Sequence, residues 1–174
     1  GFIWIGTINS GLCKYDGSRF TLIYPDYGVG PGLSDPRIST ITGDKYDHLW
    51  ITTMSDQINC YDLRTESFVD YSGNGHYEGH YGHVTFVGDD IWVWGKSQGC
   101  MRISYDGESF SSERYSTQTD NLPSDNVSFL LQDGDCVWLG TSEGLCRYQN
   151  GKMDVVVSKG HFPVGEKLSD VSVF

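Results

Sequence analysis

Residues 140–144 read Gly-Thr-Ser-Glu-Gly and residues 95–99 read Gly-Lys-Ser-Gln-Gly. Both satisfy G-x-S-x-G, the spacing with which a hydrolase strand turns sharply into a helix and exposes a nucleophilic serine. That chemistry needs the helix, and "LCRYQNG" after Ser142 has no helical periodicity. Two copies in one chain argue for a recurring turn, so Ser142 and Ser97 are expected in hairpins, not in a catalytic site. "WGKSQG" (94–99) resembles the end of a phosphate-binding loop, but Asp90 stands where its first glycine belongs and no helix follows. The loop "YSGNGHYEGHYGH" (71–83) is chemically richer. His76, His80 and His83 with Glu78 offer metal donors, yet a glycine-rich loop imposes no coordination geometry. No metal or other cofactor is expected there. The same loop suits a sugar, with Tyr77 and Tyr81 stacking on its faces and His or Asn side chains bonding its hydroxyls, although an ordinary solvent loop is the first reading of such a stretch.

The elements that would carry these residues follow from a repeat. "IWIGTINSGLCKYDG" (3–17) and "VWLGTSEGLCRYQNG" (137–151) share apolar-Trp-apolar-Gly-Thr, a polar stretch, then Gly-Leu-Cys-basic-Tyr. Weaker copies lie at 49–62 and 91–104. The tryptophans Trp4, Trp50, Trp92 and Trp138 recur at intervals of 46, 42 and 46 residues, and Tyr15, Tyr61, Ile103 and Tyr148 keep a matching period. Each unit holds four short alternating segments separated by turn residues, and no stretch has the length and caps of a helix. Four strands per period of about 40–50 residues describe the blades of a β-propeller. The fold class is therefore all-β, with antiparallel four-stranded blades and about four blade equivalents.

In register, a partial blade covers 1–24, whole blades cover 33–71, 83–115 and 122–157, and the first strand of a next blade covers 168–174. This organisation is expected to be a segment of a larger ring rather than a four-bladed ring closed by pairing 168–174 with 3–7, because about ten linking residues of the other copies are missing. Trp4, Ile3, Ile5 and their counterparts should fill the wedge between blades, and Gly6, Gly95 and Gly140 should allow close backbone approach beside the rings.

Four long connectors, 24–32, 71–83, 115–121 and 158–166, join an outer strand to the next inner strand and so emerge on one face. Loops on a rigid scaffold are where binding residues usually lie. The candidate ligand-binding residues are Tyr24, Tyr27, His76, Tyr77, His80, Tyr81, His161 and Phe162. As surface residues they should tolerate substitution, so Tyr81→Ala should leave the fold intact.

The net charge of −11 and pI ≈ 4.6 repel phosphate backbones and argue against direct nucleic-acid binding. No apolar run approaches the length of a membrane span. Five cysteines without a C-x-x-C pair read as core thiols, Cys13 and Cys146 sharing one register.

The strings "IWIGT…GLCKYDG…F", "GLSDPRISTI" and "NLPSDNVSFLLQD…VWLGT…GLCRY" resemble the two-component regulator propeller repeat. The second copy departs from it with Thr52 in place of glycine, and the third with Trp94 and no tyrosine. The resemblance implies a seven-bladed ring, paired with a second propeller, in the periplasmic part of a hybrid two-component sensor of carbohydrate-degrading gut bacteria. It further implies an oligosaccharide inducer, a homodimeric parent with a membrane span, and a histidine kinase and transcription-regulating phosphorelay outside this chain. The expected function is thus a non-catalytic extracytoplasmic sensor segment. The alternatives are a propeller-type lyase with a His-bound metal on the ring face, since similar repeats occur in streptogramin lyases, or a protein-interaction scaffold.

Overall fold

The computed structural model describes residues 1–26, 31–71, 81–119 and 122–158, which form fifteen strands and no helix. Blade 1 is β1 (Ile3–Gly6), β2 (Leu12–Tyr15) and β3 (Phe20–Ile23). Blade 2 is β4 (Ile38–Gly43), β5 (His48–Thr53), β6 (Ile58–Asp62) and β7 (Ser67–Val69). Blade 3 is β8 (His83–Val87), β9 (Asp90–Trp94), β10 (Cys100–Tyr105) and β11 (Phe110–Tyr115). Blade 4 is β12 (Val127–Asp133), β13 (Cys136–Thr141), β14 (Gly144–Gln149) and β15 (Lys152–Ser158). Each blade is an antiparallel meander in chain order. This is the blade architecture that the repeat predicts.

Strand alternation explains the packing. Trp50 faces blade 3 while its neighbours Leu49 and Ile51, one residue either side, face blade 1. The first three indoles meet the next blade: Trp4 lies 5.4 Å from Tyr61, Trp50 shares a core with Ile103, and Trp92 lies 5.0 Å from Tyr148. Trp and the third-strand residue of the following unit recur with one period because they touch. Between those rows the cysteines act as small apolar fillers. Cys13, Cys60, Cys100 and Cys146 are buried and Cys136 is half-buried, with no disulfide formed. Burial pushes the Cys146 thiol up to about 11 and that of Cys60 higher still, which suppresses thiolate chemistry.

Ile3 and Ile5 are exposed, because no sheet of the described residues lies against that face of blade 1. Only the opposite face, carrying Trp4, is covered.

Glycines make room both at an inter-blade seam and within the blades. A Cβ on Gly6 would stand 2.6 Å from Ile38 Cγ2 of the next blade, and one on Gly140 would run into the Phe129 ring. Gly11 and Gly99 occupy equivalent hairpins with φ of 74° each, where a side chain would strike the carbonyl oxygens of Ile23 and Tyr115. Their amides donate across the seam to Pro36 O (3.0 Å) and Asp125 O (2.8 Å).

The turns after β2, β6 and β10 share another device. Asp16 accepts the amides of Ser18 and Arg19, Asp62 those of Arg64 and Thr65, and Asp106 those of Glu108 and Ser109. These are Asx turns, and the donated amides hold the Asp16 and Asp106 carboxyls below the usual carboxylate range.

Candidate functional site

Ser142 occupies a two-residue hairpin between Thr141 and Gly144, its hydroxyl 2.8 Å from that of Ser124. Ser97, with φ of 73°, sits in the equivalent turn of blade 3. Neither is on a strand-to-helix elbow. Of the candidate ligand residues, Tyr27, His76, Tyr77, His80, His161 and Phe162 lie outside the described residues, as does Glu78. Tyr24 is 57% exposed at the end of blade 1 and remains available to a ligand. Tyr81 is not a surface residue. Its ring is 3% exposed and belongs to the core of Trp50, Ile58, Tyr71, Ile91 and Met101 between blades 2 and 3. That burial pushes its phenol upward, and it leaves no ring face for a sugar. His83 starts β8 and stacks on Trp94, 4.2 Å between centroids and 18° between planes.

On the face opposite the long connectors lies a cleft of about 600 Å³ between blades 2 and 3. It is lined by the ends of β6 and β10 with the turns that follow them, the residue after β7 and the start of β11, which bring together Asp62, Arg64, Asp70, Tyr105, Glu108 and Phe110. The guanidinium of Arg64 spans the seam, donating to Asp62 Oδ2 (3.3 Å) and to Tyr105 Oη (3.2 Å). Burial acts to raise the Asp62 carboxyl, but the amide and guanidinium of Arg64 outweigh it and hold the group lowered. Tyr105 packs edge-on to the buried His48 at 4.8 Å and beside Phe110 at 4.5 Å. Carboxylates, one cation and an aromatic edge suit a polar, hydroxyl-bearing ligand. Sequence reading passed over this cleft because its residues come from two turns about forty positions apart, and each turn alone reads as solvent loop.

Beneath the cleft, Asp44 organises the turn between β4 and β5. Its Oδ1 accepts the amides of Tyr46 (2.8 Å) and His48 (3.0 Å), and its Oδ2 accepts Trp50 Nε1 and lies 2.9 Å from His48 Nδ1. Burial would raise this carboxyl, yet the bonds from His48, Trp50 and the two amides together hold it at about 2, against 3.8 ordinarily. Folded Asp44 therefore binds its proton more weakly than unfolded Asp44, so acid favours the unfolded chain. Its stabilisation, about 2 kcal/mol, is complete above about pH 4 and drains away as pH falls toward 2. Urea titrations from pH 7 to pH 2 should show that loss, and a flatter profile for Asp44→Asn; equal slopes would refute the assignment.

Among the described residues, no helix is long and apolar enough to cross a membrane, and no group of three His, Cys, Asp or Glu side chains is placed to hold a metal ion.

No protein-family model matches this chain, and no curated protein does. Solved structures do. The extracellular domain of BT3049 of B. thetaiotaomicron, assigned as a hybrid two-component system, matches with a TM-score of 0.65 and 22% identity, over 90% of this chain and 23% of that one. Two structures of the extracellular domain of BT4673 from the same organism, assigned as a one-component and as a hybrid two-component system, match at 25% identity. Their TM-scores are 0.58 and 0.55, over 92% of this chain and 21% and 20% of theirs. PorZ, a surface component of the type-IX secretion system of Porphyromonas gingivalis, matches with a TM-score of 0.54 at 19% identity, over 86% of this chain and 23% of its own. The chain spans about a fifth to a quarter of the length of these structures.

The fold is thus a β-propeller arc. Similar arcs lie within the extracellular domains of BT3049 and BT4673, in agreement with the propeller-repeat resemblance of the sequence.

Proposed function

We propose that this chain is a non-catalytic, periplasmic sensor segment that responds to an oligosaccharide and passes the signal to a kinase outside its own residues. The observation that carries this reading is the match of over nine-tenths of the chain to an extracellular two-component domain at 25% identity. The physics supports it. Blades locked by indole contacts form a rigid body, and a ligand that binds one arrangement of rigid bodies better than another shifts the population between them. Two surfaces offer ligand contacts: the connector face at Tyr24 and the acidic cleft at Glu108.

The test is calorimetric titration of the purified chain with neutral, acidic and amino-sugar oligosaccharides. Binding of at least one class is expected. Its weakening by Tyr24→Ala would place it on the connector face, and by Glu108→Ala in the cleft. A correctly folded chain that binds no member of the panel would overturn the oligosaccharide reading.

A further inference from the structure

We infer, on the footing of the oligosaccharide reading, that the cleft between blades 2 and 3 takes an amino sugar. Its ammonium and neighbouring hydroxyls donate to His48 Nε2 on the cleft floor and to the carboxylate of Glu108 at the rim.

His48 starts β5 and lines the cleft, its side chain only 1% exposed. It lies edge-on to Tyr105 at 4.8 Å and against Phe110 at 5.1 Å, so blade 3 covers it. Asp44 settles its tautomer. Both carboxylate oxygens of Asp44 accept N–H groups, from the amides of Tyr46 and His48 and from the Trp50 indole, so the group is an ionised acceptor. Nδ1, 2.9 Å from Oδ2, therefore carries a proton and donates it. In the neutral ring Nε2 is then an acceptor, and it is the polar edge turned away from Asp44. No group among the described residues bonds it. Polar atoms on side chains this deeply buried are ordinarily paired, and the cleft is the space from which a partner can reach this one.

The rest of the cleft has the same bias. Its donors are turned onto the protein: Arg64 onto Asp62 and Tyr105, the Tyr105 hydroxyl onto Gly107 O at 2.9 Å, and the Ser109 hydroxyl onto Asp106 at 3.2 Å. The hydroxyl of Thr65 lies 2.9 Å from that of Ser67. Glu108, by contrast, keeps its carboxylate outside every ion pair among the described residues. The charge of Arg64, the cation of the cleft wall, is answered by Asp62. What the site lacks is therefore a donor, and a positively charged one meets Glu108 as a charge-assisted bond. An acidic sugar would set its own carboxylate against Glu108 and is disfavoured. Val69 and Phe110 give a sugar ring an apolar wall, and the cleft volume falls within the roughly 300–1,000 Å³ of small-molecule sites.

Calorimetric titration of the purified chain with disaccharides of one linkage tests this, using those of glucosamine, N-acetylglucosamine and glucose, with putrescine as a sugar-free amine. The glucosamine disaccharide should bind roughly tenfold or more tighter than the other two sugars, as a charged donor on a carboxylate does. Glu108→Gln changes an exposed residue, so the variant should fold, and it should bring the three sugars to near-equal affinity. His48→Asn keeps an amide donor for Asp44 and deletes Nε2. With folding checked by circular dichroism, it should weaken the glucosamine disaccharide. Equal affinity of the wild-type chain for all three sugars, a preference that survives Glu108→Gln, or an affinity untouched by His48→Asn would overturn the inference while the oligosaccharide reading stands. Putrescine bound as tightly as the amino disaccharide would overturn it in favour of a bare amine site. A folded chain that binds no sugar of this set or of the wider panel would overturn the oligosaccharide reading itself, and the amino-sugar assignment with it.

Discussion

Trp50→Ala should lower the free energy of unfolding by about 3–5 kcal/mol, a large share of the roughly 5–15 kcal/mol by which a domain is stable. Trp50 is fully buried, 4.8 Å from Tyr71 in its own blade and 6.1 Å from Phe110 in the next. Truncation leaves a cavity between two sheets that the other blade contacts hold apart, so the walls cannot collapse to fill it. It also removes the Nε1 donor from Asp44, a buried carboxylate that depends on several donated bonds. Trp50→Phe separates the two losses, because it restores most of the ring volume without the donor and should fall between wild type and alanine. Urea unfolding followed by circular dichroism reads all three. A loss below about 1 kcal/mol for the alanine variant would mean that the indole does not wedge the blades apart.

Tyr81→Ala comes next, at about 3 kcal/mol. The sequence places Tyr81 in a glycine-rich connector beside His80 and Gly82, where truncation should be harmless. Its burial among Trp50, Tyr71, Ile91 and Met101 reverses that expectation. The ring closes the top of the core between blades 2 and 3, so its loss exposes the wedge from the connector side. Thermal unfolding distinguishes the two readings: a melting temperature within a degree of wild type would restore Tyr81 to the surface, whereas a drop of several degrees establishes it as core.

The pair shows which kind of information each level holds. Trp50 is legible because its role repeats: four indoles stand at a near-constant interval, and the first three each meet an aromatic or apolar partner one unit further on. Tyr81 is not legible. The connectors before β4 and β12 bury leucines, Leu33 and Leu122, in their cores, whereas Tyr81 stands in a glycine-rich stretch whose composition alone looks solvated. The candidate site behaves the same way. Tyr24 lies on the surface as its loop position suggests, but the cleft of Asp62, Arg64, Tyr105 and Glu108 is assembled from two turns that never approach each other in sequence.

What this sequence determined by itself was the strand order, the meander of each blade, the hairpin fate of Ser142 and Ser97, and the burial of the thiols. Those properties follow from contacts at fixed offsets, and a fixed offset leaves a period that can be counted. Only the tertiary structure decided which faces are covered. Ile3 and Leu49 occupy the same position of the same motif, yet one is exposed and the other buried. A strand's pattern states which side is apolar; whether another sheet stands opposite depends on the neighbouring blade, and no residue within the strand records it.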